Sequence, residues 1–135
     1  MEDDIRWKQR FDNFKNSILV LERVTADITP SSSPNETTIL ATIQAFEMTF
    51  ELAWKVCKDY LNKSGLDVKL PKPVLKEAVN NQLIKNIAIW ADMLELRNLT
   101  SHTYDPSLAK DMVLNIKTLY LPELKLLHDY FKDKI

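Results

Sequence analysis

Hydrophobic residues recur at helical spacing along almost the whole chain. Near the start they repeat every three or four residues and predict a first helix of roughly 3–26. Its apolar stripe is Trp7, Phe11, Phe14, Ile18 and Leu21. A similar stripe near the end predicts a last helix and consists of Ala109, Val113, Ile116, Tyr120, Leu124, Leu127 and Phe131. Pro122 lies inside that last stripe, and we expect a kink or break just before it because proline removes a backbone donor.

The second helix is apolar on more than one side. We expect it to begin with Ser33 as N-cap, Pro34 at N1 and Glu36 completing a capping box. It should end near Lys63, with Gly65 in the left-handed conformation just after it. Its main stripe is Ile39, Ile43, Phe46, Phe50, Ala53, Cys57 and Leu61, and further apolar residues off it are Leu40, Met48, Leu52, Trp54 and Val56. Such a helix needs several partners, so we expect it to be both the central helix and part of a subunit interface.

Two helices are expected between the second and the last. The third is predicted at Pro73 to about Lys85, with Val74, Ala78, Leu83 and Ile84 inward. The fourth should begin near Asn86 and end about Tyr104. Its apolar face is expected to be Ala88, Ile89, Leu96 and Leu99, with Trp90 and Met93 nearer the polar side. Asp105-Pro106 then has the N-cap and N1 pattern of another helix start.

Composition limits the fold class. The chain has 135 residues, of which 45% are hydrophobic and 27% charged, and a single Gly. Few glycines argue for long helices with few tight turns. We therefore expect one domain over 1–135: an all-α, up-and-down four-helix-type bundle with an additional short helix.

Charge and cysteine content limit the function. The net charge of −1 gives no support to generic nucleic-acid binding. The single Cys57 excludes an internal disulfide, fits a reducing compartment and falls on an apolar stripe, so we expect a buried thiol. Neither a membrane span nor a signal-peptide pattern is evident, which leads us to expect a cytoplasmic protein without membrane contact.

Chemically versatile residues are concentrated in 95–104. On a helix, one stripe of this segment is formed by Arg97, Ser101 and Tyr104. The adjoining stripe is formed by Glu95, Asn98 and His102. Leu96 and Leu99 are expected on the opposite side. The sequence thus predicts a helix with one polar, reactive face, which ends at a corner between two helices.

These residues suit phosphate chemistry. The guanidinium of Arg97 has the planar fork that binds phosphate, and an imidazole such as His102 has an unperturbed pKa of about 6.5. Glu95 is a carboxylate that could orient the imidazole. From spacing alone, a solvated helix face with cations near the helix C-terminus explains the same pattern.

Other chemistry has little support. The two histidines, His102 and His128, have no paired spacing, and neither a Gly-rich loop nor a nucleophile elbow occurs, so we expect no metal and no cofactor. His128 is expected on the surface near the end of the last helix. Glu51 could form a carboxylate pair with Glu47, but an ion pair with Lys55 on the same helix is the simpler expectation.

The same segment carries a family resemblance. Residues 97–104 read R-N-L-T-S-H-T-Y, which resembles the R-N-x-x-x-H-x-Y signature of the HEPN superfamily of small helical proteins. More narrowly, the chain resembles the HEPN partners of minimal nucleotidyltransferases, also named nucleotidyltransferase substrate-binding proteins. The segments 43–55 and 90–94 agree with that family, and the resemblance extends from about Phe11 to Leu127.

The resemblance implies two alternative functions. In the first, the chain is a toxin of a toxin–antitoxin pair, a metal-independent endoribonuclease in which Arg97 stabilises the reacting phosphate and His102 moves protons. Asn98 and Ser101 would support them, and the site would form across a homodimer cleft. A separate small nucleotidyltransferase would neutralise the toxin, by AMPylation of Tyr104 in some related pairs. In the second, the chain is a non-catalytic substrate-binding subunit of a two-component nucleotidyltransferase.

Overall fold

All regular elements of the described part of the chain are helices. A computed structural model of the protein describes residues 2–100 and 106–134. Within these ranges the elements are α1 (Glu2–Val24), α2 (Glu36–Lys63), α3 (Pro71–Asn80), α4 (Ile87–Thr100), α5 (Pro106–Asn115), a π-helical turn (Ile116–Tyr120) and α6 (Leu121–Lys132). The predicted all-α bundle is confirmed. None of these helices is long and apolar enough to cross a membrane.

Helix α2 is the centre of the bundle, because it contacts α1, α3, α4, α5 and α6. It runs antiparallel to α1, as shown by the Arg10–Asp59 ion pair at 2.6 Å near one end and the Ser17–Thr49 hydroxyl contact at 2.5 Å further along. Helix α6 packs against both α1 and α2, since the Phe131 ring lies 6.2 Å from that of Trp7 and 5.3 Å from that of Tyr60. The central position of α2, which was expected because that helix is apolar on several sides, is therefore confirmed.

The two long apolar stripes of the first and last helices form a large part of the core. Every residue of both predicted stripes is buried. The break expected before Pro122 takes the form of the π-helical turn, in which Leu121 N–H donates to the carbonyl of Ile116. A widened turn here separates the proline ring from the carbonyl one turn earlier, with which it would clash in a regular α-helix.

Helix boundaries differ from the sequence predictions at two places. The N-cap of α2 is Asn35, whose Oδ1 accepts from Thr38 N–H at 2.8 Å, so the assignment of that cap to Ser33 was wrong. Helix α3 begins at Pro71, two residues earlier than predicted, and ends at Asn80 instead of near Lys85. It ends there because Gln82 adopts a left-handed φ of 64°, which reverses the chain. Leu83 and Ile84 are nevertheless buried, as predicted.

Gly65 ends α2 as expected from the sequence. Its φ is 97°, and Gly65 N–H donates to Asn62 O at 3.0 Å while Leu66 N–H donates to Leu61 O at 3.0 Å. This is the Schellman pattern, which satisfies carbonyls at the end of the helix. Gln82 and Leu83 form the same pattern after α3, with bonds to Val79 O at 3.0 Å and Ala78 O at 2.8 Å.

Candidate functional site

Arg97 lies on the face of α4 that contacts the core. Trp90 and Met93 of this helix are fully buried, and the Trp90 ring lies 6.3 Å from that of Phe50 on α2. Because Arg97 follows Met93 by four residues, it continues the same stripe toward α2. The guanidinium of Arg97 therefore points from α4 toward the central helix α2, while the Arg97 side chain remains 33% exposed.

The orientation of α4 corrects the sequence prediction. Leu96 and Leu99 were expected on its apolar inner side; Leu96 is half-buried and packs against the core, whereas Leu99 is 53% exposed. Ala88 is exposed as well. Trp90 and Met93 form the centre of the buried face, and Ile89, Leu94 and Leu96 pack partly against the core at its edges.

Glu51 of α2 is the partner of Arg97. Its Oε1 lies 2.6 Å from Arg97 Nε, and its Oε2 accepts a hydrogen bond from Trp54 Nε1 at 3.0 Å. The predicted pairing of Glu51 with Lys55 was therefore wrong. The Lys55 ammonium instead lies 5.9 Å from the ring centroid of Trp54. Sequence reasoning missed Glu51 and Trp54 as part of this site, although both fall in the segment 43–55 that carried the family resemblance.

Asn98 contacts the outer end of the same guanidinium. Its Oδ1 accepts from Arg97 Nη1 at 3.0 Å, and its backbone lies in the last turn of α4. Thr100 Oγ1 donates to Arg97 O at 3.2 Å in that turn. Arg97 and Asn98 thus contact each other, and Glu51 is a further partner of the same guanidinium.

Glu95 lies near Tyr120 of the π-helical turn. Burial, together with the charges of Asp92 and Glu95, raises the pKa of the Tyr120 phenol in the π-helical turn. Glu95 also lines a groove between α3 and α4, beside Asn98. Ser101, His102 and Tyr104 lie outside the described residues, so the orientation of His102 by Glu95 stays a prediction.

Two grooves include residues that contact Arg97: Glu51 lines one of them and Asn98 lines the other. One, of about 590 Å³, lies between α1 and α2 and is lined by Glu47, Glu51 and the amides Asn13, Asn16 and Gln44. The other, also of about 590 Å³, lies between α3 and α4 and has Leu75, Ile87 and Leu94 among its apolar residues. Both grooves are open to solvent, and each contains one of the two contact partners of Arg97.

The remaining reactive side chains are structural. Cys57 is fully buried, and burial raises the pKa of its thiol well above the usual range, which confirms the predicted buried thiol. The surface location predicted for His128 was wrong. Its ring stacks on Phe11 at 4.9 Å and its side chain is only 19% exposed.

The chain matches a protein-family model over residues 9–133, and the description of that family is "nucleotidyltransferase substrate binding protein like". The chain belongs to this family. The resemblance to nucleotidyltransferase substrate-binding proteins is thereby confirmed. A curated relative from Haemophilus influenzae, named probable ribonuclease HepT, is 33% identical over 93 residues. That match covers 65% of this chain and 63% of the relative, less than two thirds of its length.

Solved structures of toxin–antitoxin complexes share the fold. A chain of the MntA–HpeT toxin–antitoxin complex is 18% identical with a TM-score of 0.77, and the match covers 94% of this chain and 97% of that one. A tri-AMPylated Shewanella oneidensis HEPN toxin, in complex with an MNT antitoxin, is 18% identical with a TM-score of 0.77 over 94% of this chain and 96% of that one. At this level of identity the comparison establishes the bundle itself.

Proposed function

We propose that this chain is a metal-independent endoribonuclease and the toxin of a HEPN–nucleotidyltransferase pair. The observation that carries the proposal is the state of Arg97, which is held by Glu51 yet 33% exposed at the end of α4. An exposed and oriented guanidinium is what a phosphate-binding site requires. The name of the Haemophilus influenzae relative, probable ribonuclease HepT, supports the same activity.

The proposed reaction is an internal transesterification. The ribose 2′-oxygen bonds to the adjacent phosphorus and the bond from phosphorus to the 5′-oxygen of the next nucleotide breaks, which leaves a 2′,3′-cyclic phosphate and a 5′-hydroxyl. Arg97 stabilises the extra negative charge of the phosphorane. His102 accepts the proton of the 2′-hydroxyl or supplies one to the leaving 5′-oxygen, with Asn98 and Ser101 in support.

The homodimer completes the site in this proposal. One imidazole cannot be both the base and the acid of the same step, whereas two copies of His102 across a two-fold cleft can divide these roles. Helices α2 and α4 leave apolar side chains exposed, including Met48 at 47% and Leu99 at 53%. These faces are suited to contact a second copy.

A first prediction tests the nuclease activity. Arg97→Ala and His102→Ala should each lower the cleavage rate of a single-stranded RNA by about 10²–10⁴, since a charge stabiliser or a proton carrier is lost. Helicity and dimer mass should not change, and cleavage by the unsubstituted chain should persist in EDTA. Cleavage by His102→Ala at the unsubstituted rate would contradict the assignment.

The second candidate function is a non-catalytic subunit that binds substrate for a separate nucleotidyltransferase. The family description favours it directly. On this alternative the purified chain cleaves no RNA, alone or as a dimer, and it raises the nucleotidyl-transfer rate of its partner. The RNA assay above therefore separates the two functions.

A second prediction concerns neutralisation by the nucleotidyltransferase partner. AMP attached to Tyr104 would bring a phosphate close to Arg97 and occupy the place of the substrate phosphate. Co-expression with the cognate partner should give a chain heavier by one or more AMP units, mapped to Tyr104 by mass spectrometry and inactive on RNA. Tyr104→Phe should escape this modification and remain toxic. An unmodified Tyr104 in a neutralised complex would show that the partner acts by binding alone.

A further inference from the structure

The carboxylate of Glu51 is fixed from two directions. Its Oε2 accepts from the indole of Trp54, which is 7% exposed, so core packing determines the direction of this N–H. Its Oε1 lies 2.6 Å from Arg97 Nε. The central helix α2 therefore holds a carboxylate in a fixed position next to Arg97 of α4.

We propose that Glu51 is the positioning residue of Arg97, an inference that rests on the nuclease function proposed above. The ion pair with Glu51 is made through Nε of the guanidinium, whereas the fork that binds phosphate includes the terminal amino groups. One of these groups already meets Asn98 Oδ1 at 3.0 Å at the outer end. The two contacts fix the plane of the guanidinium before a phosphate arrives, so the long side chain loses little further freedom in the transition state.

The pair is better explained by positioning than by stability. Both side chains are about one-third exposed, at 33% for Arg97 and 30% for Glu51, and ion pairs of this exposure contribute little to folding. The negative charge of Glu51 also opposes binding of a phosphate nearby. Removing that charge should therefore leave substrate affinity unchanged or improve it, while the rate of the chemical step falls.

Glu51→Gln tests this role, because it keeps the shape and an acceptor for Trp54 but removes the charge. We expect kcat to fall about tenfold to a hundredfold, as for a misplaced catalytic group, without a rise in KM. Glu47→Gln is the matched control, since Glu47 lies one turn earlier on α2 and lines the same groove as Glu51. It should keep both constants, and all variants should unfold at the same urea concentration.

A double substitution separates positioning from a general structural effect. Arg97→Lys keeps the charge but lacks the Nε that Glu51 contacts. In an Arg97→Lys chain, Glu51→Gln should change kcat less than about twofold, because the group to be positioned is gone. Equal losses from Glu51→Gln in both backgrounds, a loss matched by Glu47→Gln, or an unchanged kcat would each overturn the proposal.

The order parameter of the Arg97 Nε–H vector, measured by ¹⁵N relaxation NMR, tests the fixing of this side chain without RNA. It should be high in the unsubstituted chain and in Glu47→Gln, and clearly lower in Glu51→Gln. A low order parameter in the unsubstituted chain would overturn the positioning role. Absence of RNA cleavage by the unsubstituted chain would instead overturn the nuclease function, and with it the catalytic purpose of the contact, even where the order parameter is high.

Discussion

Asn35 sets the start of the central helix through one side-chain hydrogen bond. It has an extended backbone, and its Oδ1 accepts from Thr38 N–H at 2.8 Å. Ile39 N–H then donates to Asn35 O at 3.0 Å, which is the first bond of the helix. Ser and Asn cap helices about equally well, so sequence alone placed the cap at Ser33, two residues too early. Packing of Ile39, which is 8% exposed, favours the later start.

A third prediction follows for this cap. Asn35→Ala should lower the free energy of unfolding by about 1 kcal/mol, because Thr38 N–H loses its acceptor. Ser33→Ala, at the exposed position where the cap was first assigned, should change it by less than about 0.5 kcal/mol. Urea unfolding followed by circular dichroism measures both, and a larger effect at Ser33 would contradict the observed cap.

Helices α5 and α6 keep one apolar stripe across an interruption. The π-helical turn of Ile116–Tyr120 accommodates Pro122 while Ile116 and Tyr120 remain buried. The stripe was predictable because its spacing is regular and the position of a proline is visible in the sequence. Along α6 the buried side is narrow, since Leu124 is fully buried and Leu126 is 62% exposed.

The fourth prediction compares these two leucines. Leu124→Ala should destabilise the protein by about 2–5 kcal/mol, because it opens a cavity in the core. Leu126→Ala, on the same helix, should change the free energy of unfolding by less than about 0.5 kcal/mol. Similar losses at both positions in urea unfolding would indicate that Leu126 is covered by a second copy of the chain.

At the scale of the whole molecule, α4 contacts α2, α3 and the π-helical turn but leaves part of its apolar surface exposed. Trp90 and Met93 bind it to the core, whereas Ile87 and Leu99 are 46% and 53% exposed. Helix α2 adds exposed Leu40 and Met48 on its own outer side. These exposed apolar side chains on α2 and α4 are consistent with the proposed dimer, in which two copies of the motif face each other.

The fifth prediction tests the dimer through Leu99. We expect light scattering to give a dimeric mass for the unsubstituted chain at micromolar concentration and a monomeric mass for Leu99→Glu, because a buried unpaired carboxylate opposes association. Leu126→Glu on α6 is the control and should remain dimeric. Circular dichroism should show equal helicity in all three, and a monomeric unsubstituted chain would overturn the proposal.

The sequence by itself determined the helices, the two long apolar stripes, the stop at Gly65 and the break before Pro122, because each depends on local geometry or on the backbone limits of one residue. It also named Arg97 and Asn98 as members of a site, and that assignment stays a prediction. Only the tertiary structure decided which face of α4 is buried, since apolar residues lie on several sides of that helix. It likewise decided that Glu51 pairs with Arg97 on another helix and not with Lys55 on its own, because the packing of Trp90 and Met93 brings that guanidinium to α2.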